Sequence, residues 1–471
     1  MNRGLTDGRD IGSPLMGWDG RSAELAGGES SAGAGPSGPV PLGTYTHNLS
    51  PASENGGQWF NLQREKQNSR DERWELRRRF RKITESKRVR SCGRPGARDD
   101  SSVVLRATET ANGRIAGYGG LFACGNVHVC MQCSSRIAVE RAQEIERVIA
   151  HQIAEGGWAV LVTLTQRHGR EHSLEQCLKA AATGWQAANS GKVWQADKAA
   201  MDYAGYVRAL EVTESPENGW HVHYHLILCS RSRPDRDTLE TVAEGMFNRW
   251  SRALVRAGLP APIREYGLDV QHLELNATGE AQTHEWARYL AKGIAAESAL
   301  GVTKEAKGGN RTIRQLMRDA LVPQRWEDPK RGESGGLENH KVRGRSTERP
   351  LTVETIDLTA RAKLHEYERG MAGRKVLTWS TGAHDLRKAA GLGAERSDEE
   401  IAEDDDLEGE DVAVLPRETW AAIEPMATEL LKITEQHGPS GAREWLDARG
   451  LEWWLPTRLT QQSRHGEPPG H

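Results

Sequence analysis

Apolar and polar positions along this chain switch between two periods. From Ser134 to Glu155 the pattern predicts an amphipathic helix, opened by Ser134 and Ser135 and closed by Gly156-Gly157. Ala159 to Thr165 (AVLVTLT) is short and almost wholly apolar, as in a buried strand. His172 to Ala188 reads as a helix. Tyr206 to Thr213 and Trp220 to Cys229 read as two strands joined by the turn Pro216-Glu217-Asn218-Gly219. Thr238 to Ala257 is an amphipathic helix, Val270 to Leu275 a strand, and Glu280 to Ala296 a further helix. The order β-α-β-β-α-β plus one helix predicts an α+β fold with a ferredoxin-like antiparallel sheet. The central hairpin would turn one face to the helices and leave the other for a site.

Outside that series the pattern weakens. Residues 1–60 are rich in Gly, Ser and Pro with almost no apolar period, and are expected to form a disordered tail. Residues 61–133 divide into a basic arm and a cysteine-rich module. Residues 134–300 hold the regular series, and 301–392 continue it less regularly. Residues 393–411 read as an acidic linker, and 412–471 as a small helical extension with a Trp-rich end.

Composition adds three constraints. No run of 18 apolar residues and no apolar leader is present, so neither a membrane span nor secretion is expected, and a cytoplasmic protein is. Six cysteines in 471 residues do not make a disulfide scaffold, and clustered cysteines in a reducing compartment suggest metal. The net charge of −3 hides a segregation. Residues 64–98 carry 14 Lys/Arg against 5 Asp/Glu, and residues 395–411 carry 11 Asp/Glu against one Arg. A basic arm of this kind suggests contact with nucleic-acid phosphate.

The candidate chemistry is concentrated in three places. His221, His223 and His225 alternate with Val222 and Tyr224, so a strand points all three to one face. Adjacent imidazoles are costly to bury unpaired and repel when protonated, and a bound cation resolves both problems. Glu211 on the partner strand offers a carboxylate. A mixed nitrogen and oxygen set suits Mn²⁺ or Mg²⁺, with zinc open. Hairpin register decides whether Glu211 or His221 is the third ligand. In the helix from Glu280, Glu285 and Tyr289 share a face at i and i+4, with Lys292 close to it. A phenol needs a nearby cation to act as a nucleophile, and Glu285 could serve as a base. Third, Cys124, Cys130 and Cys133 form C-x5-C-x2-C, with Cys92 upstream. That spacing suits a structural zinc, with Cys92 or His128 as fourth ligand. Cys177 and Cys229 read as core.

Together these strings resemble a known family. His223-Tyr224-His225 before Leu-Ile-Leu is similar to the His-hydrophobic-His metal motif of HUH endonucleases. Val160 to Thr165 resembles that superfamily's first motif, a strand ending in Thr-x-Thr, and the Tyr289/Lys292 segment resembles its third, a helix bearing the nucleophilic tyrosine. The order matches rolling-circle plasmid replication initiators, particularly actinobacterial ones, over roughly residues 90–390. The segments Arg311 to Leu316 and Thr378-Trp379-Ser380 also look familial.

The resemblance implies an RRM-like sheet of HUH type and an enzyme that nicks one strand at the plasmid double-strand origin. Tyr289 would form a 5′-phosphotyrosine and free a 3′-OH primer, and the strand would later be rejoined. One tyrosine in this helix implies that Glu285, four residues earlier, activates water for the terminating cleavage. No G-x4-G-K-[ST] string is present, so a host helicase, with a polymerase, is an expected partner. The competing readings are a zinc-stabilised DNA-binding regulator without nicking activity, and an HUH transposase or relaxase. The position of Tyr289 after the His motif disfavours a relaxase.

Overall fold

The computed structural model describes residues 70–96, 101–111, 113–273, 310–322, 324–326, 353–355, 357–404 and 409–456. They all fall in one unit, Pro39–His471; the other, Met1–Gly38, lies outside them, as does the tail expected over 1–60. The strands in chain order are β1 (Val103–Thr110), β2 (Gly113–Gly119), β3 (Trp158–Thr165), β4 (Tyr203–Ser215), β5 (Gly219–Ser230), β6 (Leu268–His272), β7 (Gln324–Trp326), β8 (Val353–Thr355), β9 (Leu377–Trp379) and β10 (Glu410–Leu415). The chain is α+β, and every named strand pair is antiparallel.

The main sheet runs β6-β3-β5-β4-β9. Its element order includes the expected hairpin and both flanking helices, Leu174–Ala188 and Arg236–Arg256. Each helix begins where its sequence provides a cap. Ser173 accepts from the Gln176 N–H while the Gln176 side chain accepts from the Ser173 N–H, and Asp235 accepts from Thr238. Both helices cover one face of the sheet, where Trp185 and Trp250 pack edge-on against Tyr224. A short helix, Gly191–Ala200, follows the first and was not anticipated.

The helix Met131–Ala154 starts three residues before the expected Ser134. Ser134 and Ser135 do not cap it. Both hydroxyls donate back to the Met131 carbonyl. The start is set instead by Cys130, held in the cysteine cluster described below. Gly156, with φ +82°, ends the helix as expected.

A second core lies under a three-stranded sheet ordered β10-β1-β2. It joins distant parts of the sequence: a helix over 70–80, the β1-β2 hairpin, β10, and the helices Arg417–Ile423 and Ala427–Asp447. Trp74, Tyr118 and Trp420 meet edge-on with ring centroids 4.8–6.2 Å apart. Tyr118 donates to the Ala427 carbonyl and Trp420 to the Gly93 carbonyl, so both polar tips are satisfied inside the core.

This packing revises the reading of the basic segment. Arg70, Arg73, Arg77 and Arg81 recur at helical spacing and are all buried. Arg70 forks onto Glu435 through two hydrogen bonds of 2.7 and 3.0 Å. Arg81 pairs with Glu424 and donates to the Cys92 carbonyl. Arg70 and Arg81 therefore clamp the 70–80 region to the segment around 424–435, and the phosphate-tracking role does not extend to the four buried arginines. The acidic residues near 395–411 are partly docked as well. Arg141 donates to Asp398 and to the Arg396 carbonyl, and the segment Asp398–Glu403 is helical. Among the described residues no helix is long and apolar enough to cross a membrane.

Candidate metal centres

The first centre sits where β3, β4 and β5 run side by side. Register places Glu211 opposite His223, and Thr163 and Thr165 opposite His225 and His223. Directly opposed residues share a face, so all five side chains project together. Asp269 on β6, opposite Thr163, joins the same face. The Nε2 atoms of His225 and His223 converge on one carboxylate oxygen of Glu211, at 2.8 and 3.1 Å. Thr163 Oγ1 meets His225 Nδ1 at 3.0 Å and fixes that ring's orientation.

These separations suit a shared ion. Donors about 2.1 Å from one cation and at right angles to each other lie about 3 Å apart. The two histidines are buried, while Glu211 remains 33% exposed. His223 Nδ1 is buried without a hydrogen-bond partner among the described residues. Burial opposes ionisation of Glu211, but the charge and hydrogen bonds of His223 and His225 outweigh it and hold the carboxyl well below its usual range. Burial pushes His225 down, against the pull of Glu211. The arrangement offers two imidazole nitrogens and an anionic oxygen, a donor set that a divalent ion accepts.

His221 shares the histidine face but is not part of this group. It pairs across the hairpin with Thr213, and its Nδ1 meets His168 Nε2 at 3.0 Å. Burial, reinforced by His223, lowers it to about 3. His168, in the loop after β3, was not singled out in the sequence. His168 and His172 lie in a loop outside the strand and helix periods, so nothing in their local pattern tied them to the histidine row on β5.

The second centre contains all four expected cysteines. Cys124 follows β2, Cys130 and Cys133 begin the helix Met131–Ala154, and Cys92 follows the helix Lys87–Ser91. Their sulfurs lie within 4.8 Å of one another and are buried. Measured separations are 3.5 Å for Cys92–Cys130 and 3.7 Å for Cys92–Cys133 and Cys124–Cys133. A tetrahedron with metal–sulfur arms of about 2.3 Å has edges of about 3.8 Å. The group therefore has the dimensions of a tetrathiolate metal site, far from disulfide bonding distance.

Hydrogen bonds from Cys124, Cys130 and Cys133 hold the Cys92 thiol well below its usual value, while Cys124 and Cys133 are pushed up. Four sulfurs this close cannot all ionise without a cation among them. Arg77 stacks on Trp74 nearby, buried, with Nε and Nη2 unpartnered among the described residues, and its charge favours the Cys92 thiolate. His128 is not the fourth member. Its Nε2 lies 2.8 Å from the Arg374 carbonyl, and burial lowers it to about 4.

Tyr289, Glu285 and Lys292 lie within 274–309, outside the described residues. Cys177 and Cys229 are buried apart from the cluster, as expected of core thiols.

Known proteins supply the context for these two centres. Residues 124–425 match a family described as Replication protein. The chain is 26% identical over 393 residues to "Protein rep" of Streptomyces lividans, across 73% of this chain and 81% of that protein. It is 29% identical over 180 residues to the "Neomycin resistance protein" of Streptomyces cyanogenus, across 33% of this chain and 41% of that protein. It is 24% identical over 170 residues to "Protein rep" of Lentilactobacillus hilgardii, across 36% of this chain and 49% of that protein. The chain thus spans most of the first relative and less than half of the other two. No solved structure matches. The matched span contains the histidine row, Glu211 and three of the four clustered cysteines. The resemblance to replication initiators drawn from the motifs is thereby borne out: the chain belongs to the Replication protein (Rep) family.

Proposed function

We propose that this chain initiates rolling-circle replication of a plasmid by nicking one strand at its double-strand origin. The observation that carries the reading is the convergence of His223, His225 and Glu211 in a Rep-family chain. The strand order β6-β3-β5-β4, with helices after β3 and β5, supports an RRM-like sheet of HUH type, in which these residues lie on the central strands.

In this reading Tyr289 attacks the scissile phosphodiester. The phenolic oxygen bonds to phosphorus, giving a 5′-phosphotyrosine, and the bond to the leaving 3′ oxygen breaks to free a 3′-OH primer. His223, His225 and Glu211 would hold Mn²⁺ or Mg²⁺, which when bound offsets charge building on the attacked phosphate. Thr163 keeps His225 turned toward Glu211. Lys292 favours the phenolate electrostatically. Glu285 takes a proton from a water that hydrolyses the regenerated origin phosphodiester, and the 3′-OH released there attacks the 5′-phosphotyrosine, forming the rejoined phosphodiester as the bond to the Tyr289 oxygen breaks and the phenol is restored. The four cysteines would hold a structural Zn²⁺ that fixes the start of the helix Met131–Ala154. A host helicase and polymerase act on the nicked origin, in the cytoplasm.

The test is cleavage of a labelled single-stranded origin oligonucleotide with Mn²⁺ or Mg²⁺. Wild type should nick, and His225→Ala, Glu211→Ala and Tyr289→Phe should each lose nicking while retaining oligonucleotide binding. A wild type that binds the origin but never nicks would refute the reading and favour a zinc-stabilised regulator.

A further inference from the structure

His168 and His221 are in direct contact through His168 Nε2 and His221 Nδ1, 3.0 Å apart, with ring centroids 5.2 Å apart. The other nitrogen of His168, Nδ1, lies 2.9 Å from the Asn218 carbonyl in the hairpin turn. A carbonyl only accepts, so His168 Nδ1 carries a hydrogen. In a neutral ring Nε2 is then bare and accepts. The hydrogen shared between the rings therefore belongs to His221 Nδ1, and His221 Nε2 is left unprotonated. That nitrogen has no hydrogen-bond partner among the described residues. The ring stands beside His223, with centroids 4.9 Å apart.

The turn that starts this chain of bonds is built for it. Asn218 N–H donates to Ser215 Oγ at 2.9 Å, and Gly219 takes φ +77°, which a side chain would resist. Metal-site histidines are generally oriented through their second nitrogen. Here the orienting group is itself oriented, by backbone. His225 receives the corresponding restraint from Thr163.

We propose that His168 is a positioning residue: it locks His221 in the Nδ1–H tautomer, so that bare Nε2 stands beside the Glu211/His223/His225 group as acceptor for a water or hydroxyl bound there. The tautomer stands on the hydrogen bonds alone, whereas the identity of what donates to it rests on the nicking reading. The donor O–H points its hydrogen at Nε2 and no covalent bond changes in the protein. His221 serves in this role as an acceptor and not as a metal ligand.

The test uses the full chain labelled with ¹⁵N-histidine, with His221→Gln identifying the resonance. Two-bond ¹H–¹⁵N correlation should show His221 protonated at Nδ1. His168→Phe should release it to a mixture rich in the Nε2–H form. His168→Gln should hold the original tautomer, because its amide oxygen accepts from His221 and its NH₂ donates to Asn218. An Nε2–H tautomer in wild type, or no change in His168→Phe, would overturn the proposal. Oligonucleotide cleavage should fall roughly tenfold in His168→Phe and His221→Gln, the loss expected for one hydrogen bond. His168→Gln should restore most of it, and Mn²⁺ affinity by paramagnetic resonance should stay within about twofold throughout. A large loss of Mn²⁺ affinity in His221→Gln would make His221 a ligand and overturn the acceptor role. A wild type with the expected tautomer but no nicking would sink the nicking reading and leave the positioning role of His168 intact.

Discussion

Removing Glu435 should loosen the module that joins the two ends of the chain. The Glu435 carboxylate takes both arms of the Arg70 guanidinium and the Ala116 N–H, tying the 70–80 helix and β2 to the helix Ala427–Asp447. The side chains are only 4% and 13% exposed. Deleting one partner of a buried pair leaves the other charge uncompensated, at a cost of about 3–5 kcal/mol. Hydrogen–deuterium exchange of peptides from 70–80 and 427–437 should therefore accelerate by about two to four orders of magnitude in Glu435→Ala. The double substitution Arg70→Met/Glu435→Leu should recover most of that protection, since apolar replacement of a buried pair is often near neutral. Arg70→Ala should leave the salt dependence of DNA binding unchanged. An exchange increase below tenfold, together with a salt slope reduced by about one in Arg70→Ala, would refute the buried-clamp account and restore a phosphate contact.

Other expectations follow from the same geometry. Purified protein should contain one equivalent of zinc by atomic emission, and Cys92→Ser should lower it by at least half while raising protease sensitivity around the start of the helix Met131–Ala154. Retention of full zinc would exclude Cys92 from the site. Glu211→Gln should weaken Mn²⁺ binding more than tenfold by calorimetry with little change in melting temperature, since the side chain is one-third exposed. Equal affinity would remove Glu211 from the ligand set. Gly125→Ala should destabilise the cysteine knuckle by more than about 1 kcal/mol, because Gly125 has φ +65° and a Cβ would fall 2.7 Å from Glu399 Cα. Unchanged chemical unfolding would contradict that.

The five-stranded sheet was readable because strand and helix periods are strong there. β5 is the clearest case: alternation puts Trp220, Val222 and Tyr224 on one face and the three histidines on the other, whatever the surroundings. Choosing between Glu211 and His221 needed hairpin register, which the local pattern leaves open; the observed pairing of Glu211 with His223 brings the carboxylate to the histidine pair. The cysteine cluster was readable as a set, but not as the determinant of where the next helix begins. The second core escaped notice because it is assembled from segments some 300 residues apart, β1 with β10 among them. For the same reason Arg70 and Arg81 read as part of a phosphate-contacting basic arm, since their acidic partners, Glu435 and Glu424, are far away in sequence.

The proposed tyrosine nucleophile, served by the Glu211/His223/His225 group, would leave a covalent mark on the protein. Its most direct test is mass spectrometry of the protein after reaction with an origin oligonucleotide and Mn²⁺. A tryptic peptide containing Tyr289 should carry a 5′-phosphonucleotide, absent in Tyr289→Phe and absent without metal. An adduct on any other residue, or a nicked product with no adduct and full activity in Tyr289→Phe, would contradict it.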